Sequence, residues 1–261
     1  DNSGKYIIRV KFPRLVNLRA SSGTNEYIGT IGSGRTRLFT LRPLIPNRPI
    51  DYRYEFSTHR GCHRVKLNKE ITYLFPYKSN EERYVYNDTS FNQLYQVSDS
   101  FQKSTEGLSF MLNLDEVVYS MRQGLVIEVK DSFDDTEPID SLRLKQKNYL
   151  TIQHDDCSFA KYEFLKKESV IPKVGERVGA GEVIANVSAY EYDKGYRLKN
   201  TLYFIEYDRS SAKVGFSYFQ PNFLIKGERQ KIESGRLYQF DHSVELIIQE
   251  LSKKQKKRFR N

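Results

Sequence analysis

The side chains able to do acid–base, nucleophilic or metal chemistry are few: the 261 residues include four His and two Cys. His59-Arg60-Gly61-Cys62-His63 places three soft ligands at i, i+3 and i+4. A zinc site of that type needs a second matched pair, and none follows, so a coincidental loop competes with a ligand cluster here. His154 precedes Asp155, Asp156 and Cys157, which sets a thiol near an imidazole and two carboxylates. A nucleophilic thiol needs a base oriented across the fold, whereas neighbours in a strand point to opposite faces. His154 fits a buried structural role as well as a functional one. Cys62 and Cys157 form no disulfide framework; a single bridge between them is one arrangement, and the sequence leaves its geometry open.

The elements that must position these groups are mostly strands. Residues 5–12 alternate as a half-buried strand does, with Tyr6, Ile8, Val10 and Phe12 on one side. Further strands are expected over 36–41, 52–56, 70–75 and 84–86, with turns at 21–25, 32–34 and 43–49. Together these predict a small N-terminal β-sandwich over 1–88. A second β-rich block is expected over 89–240, with strands at 117–121, 125–130, 149–153, 159–165, 182–187 and 201–207. Residues 243–252 carry Val244, Ile247, Ile248 and Leu251 at helical spacing, so a short C-terminal helix and then a basic tail are expected to make up 241–261. The fold class is therefore all-β with one terminal helix.

Charge and hydropathy narrow the classes. The formal net charge is +9, and the last nine residues carry six Lys or Arg and no acid, leaving the rest close to balance. Such a tail contacts polyanions or simply stays solvated. Because the basicity is terminal, nucleic acid is not the expected partner. No apolar run approaches the roughly 20 residues of a membrane-spanning helix. The first residue is Asp, which leaves a removed leader open.

Residues 170–187 read Val-Ile-Pro-Lys-Val-Gly-Glu-Arg-Val-Gly-Ala-Gly-Glu-Val-Ile-Ala-Asn-Val. This V-x-x-G-x-x-V-x-x-G-x-x-I cadence places Gly175 and Gly181 at positive-φ turns. Biotin- and lipoate-carrying domains use a similar cadence, but Lys173 is poorly placed for their hairpin tip. Around it lie Val118-Tyr119-Ser120-Met121-Arg122-Gln123-Gly124-Leu125-Val126, Asn148-Tyr149-Leu150-Thr151-Ile152-Gln153-His154-Asp155-Asp156, Tyr162-Glu163-Phe164-Leu165 and Thr201-Leu202-Tyr203-Phe204. In order and spacing these segments resemble the lysostaphin/LytM-type zinc endopeptidases, which cut peptidoglycan cross-links. The resemblance covers 100–207 and extends more loosely to Tyr73-Leu74-Phe75-Pro76-Tyr77. It implies a lysostaphin-like antiparallel sheet over 89–240.

The resemblance also implies a zinc held by a His and an Asp of an early motif and by the second His of H-x-H. The His of Y-x-H and the first His of H-x-H would assist the attacking water. Here the early His position carries Ser104 or Thr105, and the Asp position is read as Asn113. Phe164 stands for the His of Y-x-H, and Thr201 and Tyr203 stand for the two imidazoles of H-x-H. Hydroxyls, a carboxamide and aromatic rings are poor zinc ligands, and Asp115 has no histidine partners to join. No metal, no cofactor and no catalytic residue are therefore expected. Phe164, Tyr203, Asn113 and Thr201 are instead expected to line a binding groove.

The function expected is a catalytically inactive pseudo-peptidase of the cell envelope, periplasmic or otherwise exported. It would bind a wall peptide or glycan, or an envelope protein such as a cell-wall hydrolase, and so regulate or scaffold wall remodelling in cell shape or division. The alternatives are a divergent hydrolase with a relocated site, separable by metal content, and a polyanion-binding protein, separable by salt dependence.

Overall fold

The computed structural model describes residues 3–88, 107–134, 147–192, 195–208, 213–240 and 242–259. The N-terminal unit holds β1 (Tyr6–Val16), β2 (Leu18–Ala20), β3 (Glu26–Ile31), β4 (Leu41–Pro43) and β5 (Asp51–Arg60). Then come β6 (Thr72–Tyr73), β7 (Ser79–Asp88), β8 (Gly107–Leu112), β9 (Val117–Tyr119), β10 (Gly124–Lys130), β11 (Tyr149–Gln153) and β12 (Phe159–Glu163). The chain continues through β13 (Arg177–Val178), β14 (Val183–Asn186), β15 (Glu191–Tyr192), the long β16 (Gly195–Asp208) and β17 (Lys213–Tyr218). It closes with β18 (Asn222–Ile225), β19 (Glu228–Gln230), β20 (Arg236–Phe240), α1 (Val244–Ile248) and α2 (Lys253–Phe259).

The expected all-β class holds, with two short terminal helices. The large sheet runs β13-β10-β11-β12-β16-β8-β7-β20, with β15 and β17 also paired to β16. Its apolar side packs the main core, which includes Leu74, Phe75, Tyr77, Phe110, Val126, Leu150, Tyr162 and Leu198. Gly175 and Gly181 sit at φ 93° and 74°, the left-handed region the cadence requires. Their N–H groups donate to the carbonyls of Val126 and Ser120, both at 2.8 Å, which holds the cadence against β10 and the β9–β10 turn.

The N-terminal unit is built differently from the expectation. Its sheet is β3-β1-β5, with β2-β4 as a separate pair. Residues 36–40, expected as a strand, are not one, while β3 is a strand between the expected turns at 21–25 and 32–34 that the pattern does not single out. Pro13 falls in β1 at the register shift between Lys11 and Arg14, where a missing N–H is tolerated. The division at residue 88 is also displaced. β7 pairs with β8 and β20 inside the large sheet, and Tyr73, Leu74, Phe75 and Tyr77 belong to the main core. The N-terminal unit therefore ends near β5, because the apolar faces of later segments are satisfied only by the large sheet.

Two tethers join distant parts. Cys62 and Cys157 are bridged, across 95 residues of sequence, fastening the end of β5 to the β11–β12 turn. Arg122, buried in the β9–β10 turn, donates to Glu250 at 2.6 and 2.9 Å, to Asp156 at 2.9 Å and to the Tyr73 hydroxyl at 3.2 Å. That arrangement draws the C-terminal segment onto the sheet. The helix expected over 243–252 is shortened to α1, and α2 follows beyond that span. Ser243 caps α1, its Oγ accepting from the Leu246 N–H, and the helix ends so that Glu250 can reach Arg122. The basic tail is helical in α2 and exposed.

Both tethers are testable by denaturant unfolding. Cys62→Ser with Cys157→Ser is expected to lower the unfolding free energy by about 2–4 kcal/mol, since the bridge closes a long loop. Glu250→Ala leaves a buried guanidinium half-neutralised and is expected to cost about 3 kcal/mol, with Arg122→Met milder than Glu250→Ala.

Candidate functional site

The polar side of the large sheet follows from strand register. Phe159, Lys161 and Glu163 of β12 lie opposite Tyr203, Thr201 and Lys199 of β16. Thr201, Lys199 and Arg197 in turn lie opposite Gly107, Ser109 and Met111 of β8. Alternation along a strand puts all of these on one face. On the other side of β12, Tyr149 faces Glu163 and Thr151 faces Lys161. This is the face where the sequence resemblance implies metal and catalytic groups.

Its charges form a compact network. Glu163, nearly buried, receives Lys147 at 2.9 Å and Lys161 at 3.5 Å. Burial pushes the Glu163 carboxyl up, but Lys147, Lys161 and Lys199 outweigh that and hold it below the usual carboxylate range. Asp88 pairs with Arg197 and with Lys199 at 3.5 Å, and accepts from the Ser109 hydroxyl at 3.2 Å. Arg197 Nε donates to Ser109 Oγ at 3.0 Å. Burial lowers the Lys199 ammonium, offset in part by Glu163 and Asp88. Four cations thus surround two carboxylates.

The residues expected to line a groove are dispersed or packed. Asn113 is exposed in the turn after β8, its N–H donating to Glu116 at 2.7 Å. Leu112 pairs with Tyr196 while Gly107 pairs with Thr201, so Asn113 lies about 20 Å along the strand from Thr201. Ser109, which the sequence reading passed over, is the β8 side chain that joins the network. Thr201 is buried between Lys161 and Gly107. Phe164 is buried at φ 68°, stacked on Tyr190 with centroids 4.7 Å apart and flanked by Arg197 and Lys147. Tyr203 stacks on Phe159 at 5.0 Å and joins the cluster of Ile7, Ile127, Phe159 and Ile205. Burial pushes its phenol up. Ile7 belongs to β1, so the N-terminal unit seals the Tyr203 end of this face. Ser104 and Thr105 lie outside the described residues.

The described residues of this face do not fit a zinc ion. A dication needs neutral or anionic donors with lone pairs turned inward. Here Lys161, Lys199 and Arg197 present positive charge, and both carboxylates are engaged by cations. Among the described residues no three His, Cys, Asp or Glu side chains converge as a metal site. Cys62 is taken by its bridge, which removes the His59–Cys62–His63 ligand set and leaves Cys157 no thiol to react. Asp115 pairs with Lys166 at 2.9 Å on the surface.

His154 is structural. It is buried, and its Nδ1 lies 2.8 Å from the Gln123 carbonyl, so the neutral ring donates there. Burial, then the Arg122 cation, lower its pKa to about 4, against a smaller raising effect of that hydrogen bond.

With this geometry in view, no family model and no curated protein matches the chain. Solved structures that it resembles include lysostaphin and M23-type peptidases. Lysostaphin in solution is 19% identical, covering 41% of this chain and 39% of its own, with a TM-score of 0.29. A zinc-containing peptidase from Vibrio cholerae is 18% identical, covering 68% and 47%, with a TM-score of 0.34. A putative peptidase M23 from Pseudomonas aeruginosa is 12% identical, covering 75% and 82%, with a TM-score of 0.33. The chain spans less than half the length of the first two. The overlaps are partial, and the functional reading below rests on the chain's own residues.

The His154 pKa fixes a pH dependence. The folded value lies below the unfolded one near 6.5, so the unfolded chain takes up the proton first as pH falls. Stability is complete above about 6.5 and is expected to drop by about 3 kcal/mol by pH 4. Urea unfolding across that range should show the slope, and His154→Gln should flatten it.

Proposed function

We propose that this protein is a catalytically inactive pseudo-peptidase of the cell envelope that acts by binding. The single observation that carries this reading is the replacement of the metal face by a cationic network. The sequence order of five family-like segments is retained, while Ser109, Arg197, Lys199, Thr201 and Tyr203 stand on the face that would do the chemistry. Among the described residues of that face the two carboxylates are engaged by cations, which disfavours both a zinc ion and a carboxylate base.

With Phe164 buried and stacked, the half-exposed side chains of the face are Tyr149, Lys161 and Tyr203, and Tyr149 and Lys161 sit together with Glu163 and Lys199 beneath. Lys161 lies 3.9 Å from the Tyr149 ring centroid, and the Tyr149 hydroxyl donates to Glu128 at 2.7 Å. An aromatic ring beside a surplus of cations suits a carboxylate-bearing wall peptide, with the ring as apolar contact and Lys161 as counter-charge. Such binding supports a scaffolding or regulatory role in wall remodelling and an exported location.

The test is pelleting of the full chain with purified peptidoglycan sacculi, alongside metal analysis and assay of released fragments. The chain is expected to pellet with the sacculi, release no soluble fragments and carry less than about 0.1 zinc per chain. Lys161→Glu is expected to lower the bound fraction at least about threefold, and more at low salt. Fragment release dependent on a bound metal would overturn inactivity. Unchanged pelleting of the Lys161→Glu variant would move the binding surface elsewhere.

A further inference from the structure

The N-terminal sheet leaves one long strand without a neighbour. Among the described residues β5 pairs with β1 alone, and its residues 51–58 are exposed throughout. The opposite edge, β3, is half-buried, and the loop that follows β5 is tied to it by the His63 N–H, which donates to Thr30 at 2.9 Å. The β5 edge carries no proline, its one register shift falls opposite Tyr54 with the extra residue in β1 rather than in β5, and an unblocked edge of this length is a template for another strand.

Its two faces differ. Tyr52, Tyr54 and Phe56 are 52%, 56% and 66% exposed and form a ladder, with successive centroids 6.5 Å apart. They line an apolar groove of about 540 Å³ together with Ile8, Val10 and Phe12 of β1. On the other face Arg53 and Glu55 alternate, 4.0 Å apart and largely exposed.

We infer that β5 pairs antiparallel with β5 of a second copy, about a two-fold axis through Tyr54. Charge and ladder length together select the register: a centre on Tyr52 would also set Arg53 against Asp51 but would pair only residues 51–53 of β5. Centred on Arg53, the pairing would set that residue against itself and Asp51 against Glu55. Centred on Glu55, it would set that carboxylate against itself. Centred on Tyr54, it sets each Arg53 against the other copy's Glu55, Tyr52 against Phe56, and Tyr54 against its own equivalent. Opposite charges and paired aromatics directly across an antiparallel ladder both stabilise it. Directly opposed side chains share a face, so the two grooves become one apolar channel spanning a six-stranded sheet. The contact is isologous, and with β3 partly covered it closes at two copies.

The experiment is sedimentation velocity of the full, disulfide-bonded chain up to about 100 µM, where mass action favours the dimer. A concentration-dependent dimer is expected. Arg53→Glu and Glu55→Arg should each weaken it at least about tenfold, and the double exchange should restore it to within about threefold. Both positions are exposed, so folding of these variants is checked simply by circular dichroism. Register is read separately by single cysteines, because the native pair is already bridged. Tyr54→Cys should give a covalent dimer under mild oxidation, since opposed Cα atoms lie about 4.5–5.5 Å apart. Ser57→Cys, which faces Asp51, should not. A monomer at every concentration, failure of the double exchange to restore association, or equal cross-linking at Ser57 would overturn the inference.

Discussion

The hydrogen-bond ladder of β16 is the constraint on which the rest of this structure depends. Its fourteen residues pair with β8 and β15 at one end, with β12 along the middle and with β17 at the other end. A pleated strand sends alternate side chains to opposite sides, so one register decides two surfaces together. Leu198 and Leu202 enter the main core, and Arg197, Lys199, Thr201 and Tyr203 are committed to the polar face. A slip of one residue would bury the cations in the core and expose the leucines.

That commitment explains the electrostatics of the polar face. Arg197 and Lys199 cannot be left without counter-charge where they are nearly buried, and Asp88 from β7 and Glu163 from β12 meet that need. Glu163 also holds Lys147 and Lys161 in place. The result is a charge network that ties β7, β8, β12 and β16 together across the polar face. Arg122 applies the same rule at the other side of the sheet, where a guanidinium that does not give up its proton recruits Asp156 and Glu250 and so positions the C-terminal helices.

The N-terminal unit shows how one small sheet serves two surfaces. One face of β1 sends Ile7 into the cluster beneath Tyr203, and the Cys62–Cys157 bridge fastens the unit there. The other face carries Ile8, Val10 and Phe12 with the β5 aromatics and remains open. A three-stranded sheet is too narrow to bury both of its faces by itself, which leaves the groove and the β5 edge as its exposed apolar surface.

Much was legible from local pattern alone: the all-β class, the strands at 125–130 and 149–153, the positive-φ glycines of the 170–187 cadence and the helix start at Ser243. These depend on periodicity, turn chemistry and capping, which act within a few residues. The absence of histidines between 64 and 241, save His154, was equally plain, and with it the want of imidazole ligands. What only the tertiary structure decided depends on contacts between distant segments. Cross-strand register put Ser109 rather than Asn113 with Lys199, because pairing between β8 and β16 spans nearly ninety residues that no local rule relates. The cluster of Ile7, Ile127, Phe159 and Ile205 packs against Tyr203 and leaves it a partly buried ring stacked on Phe159. Long-range geometry joined Cys62 to Cys157 and moved β7 from the N-terminal unit into the large sheet. A sequence records which side chains alternate; which partner they alternate against is settled only where burial and charge must be satisfied at once.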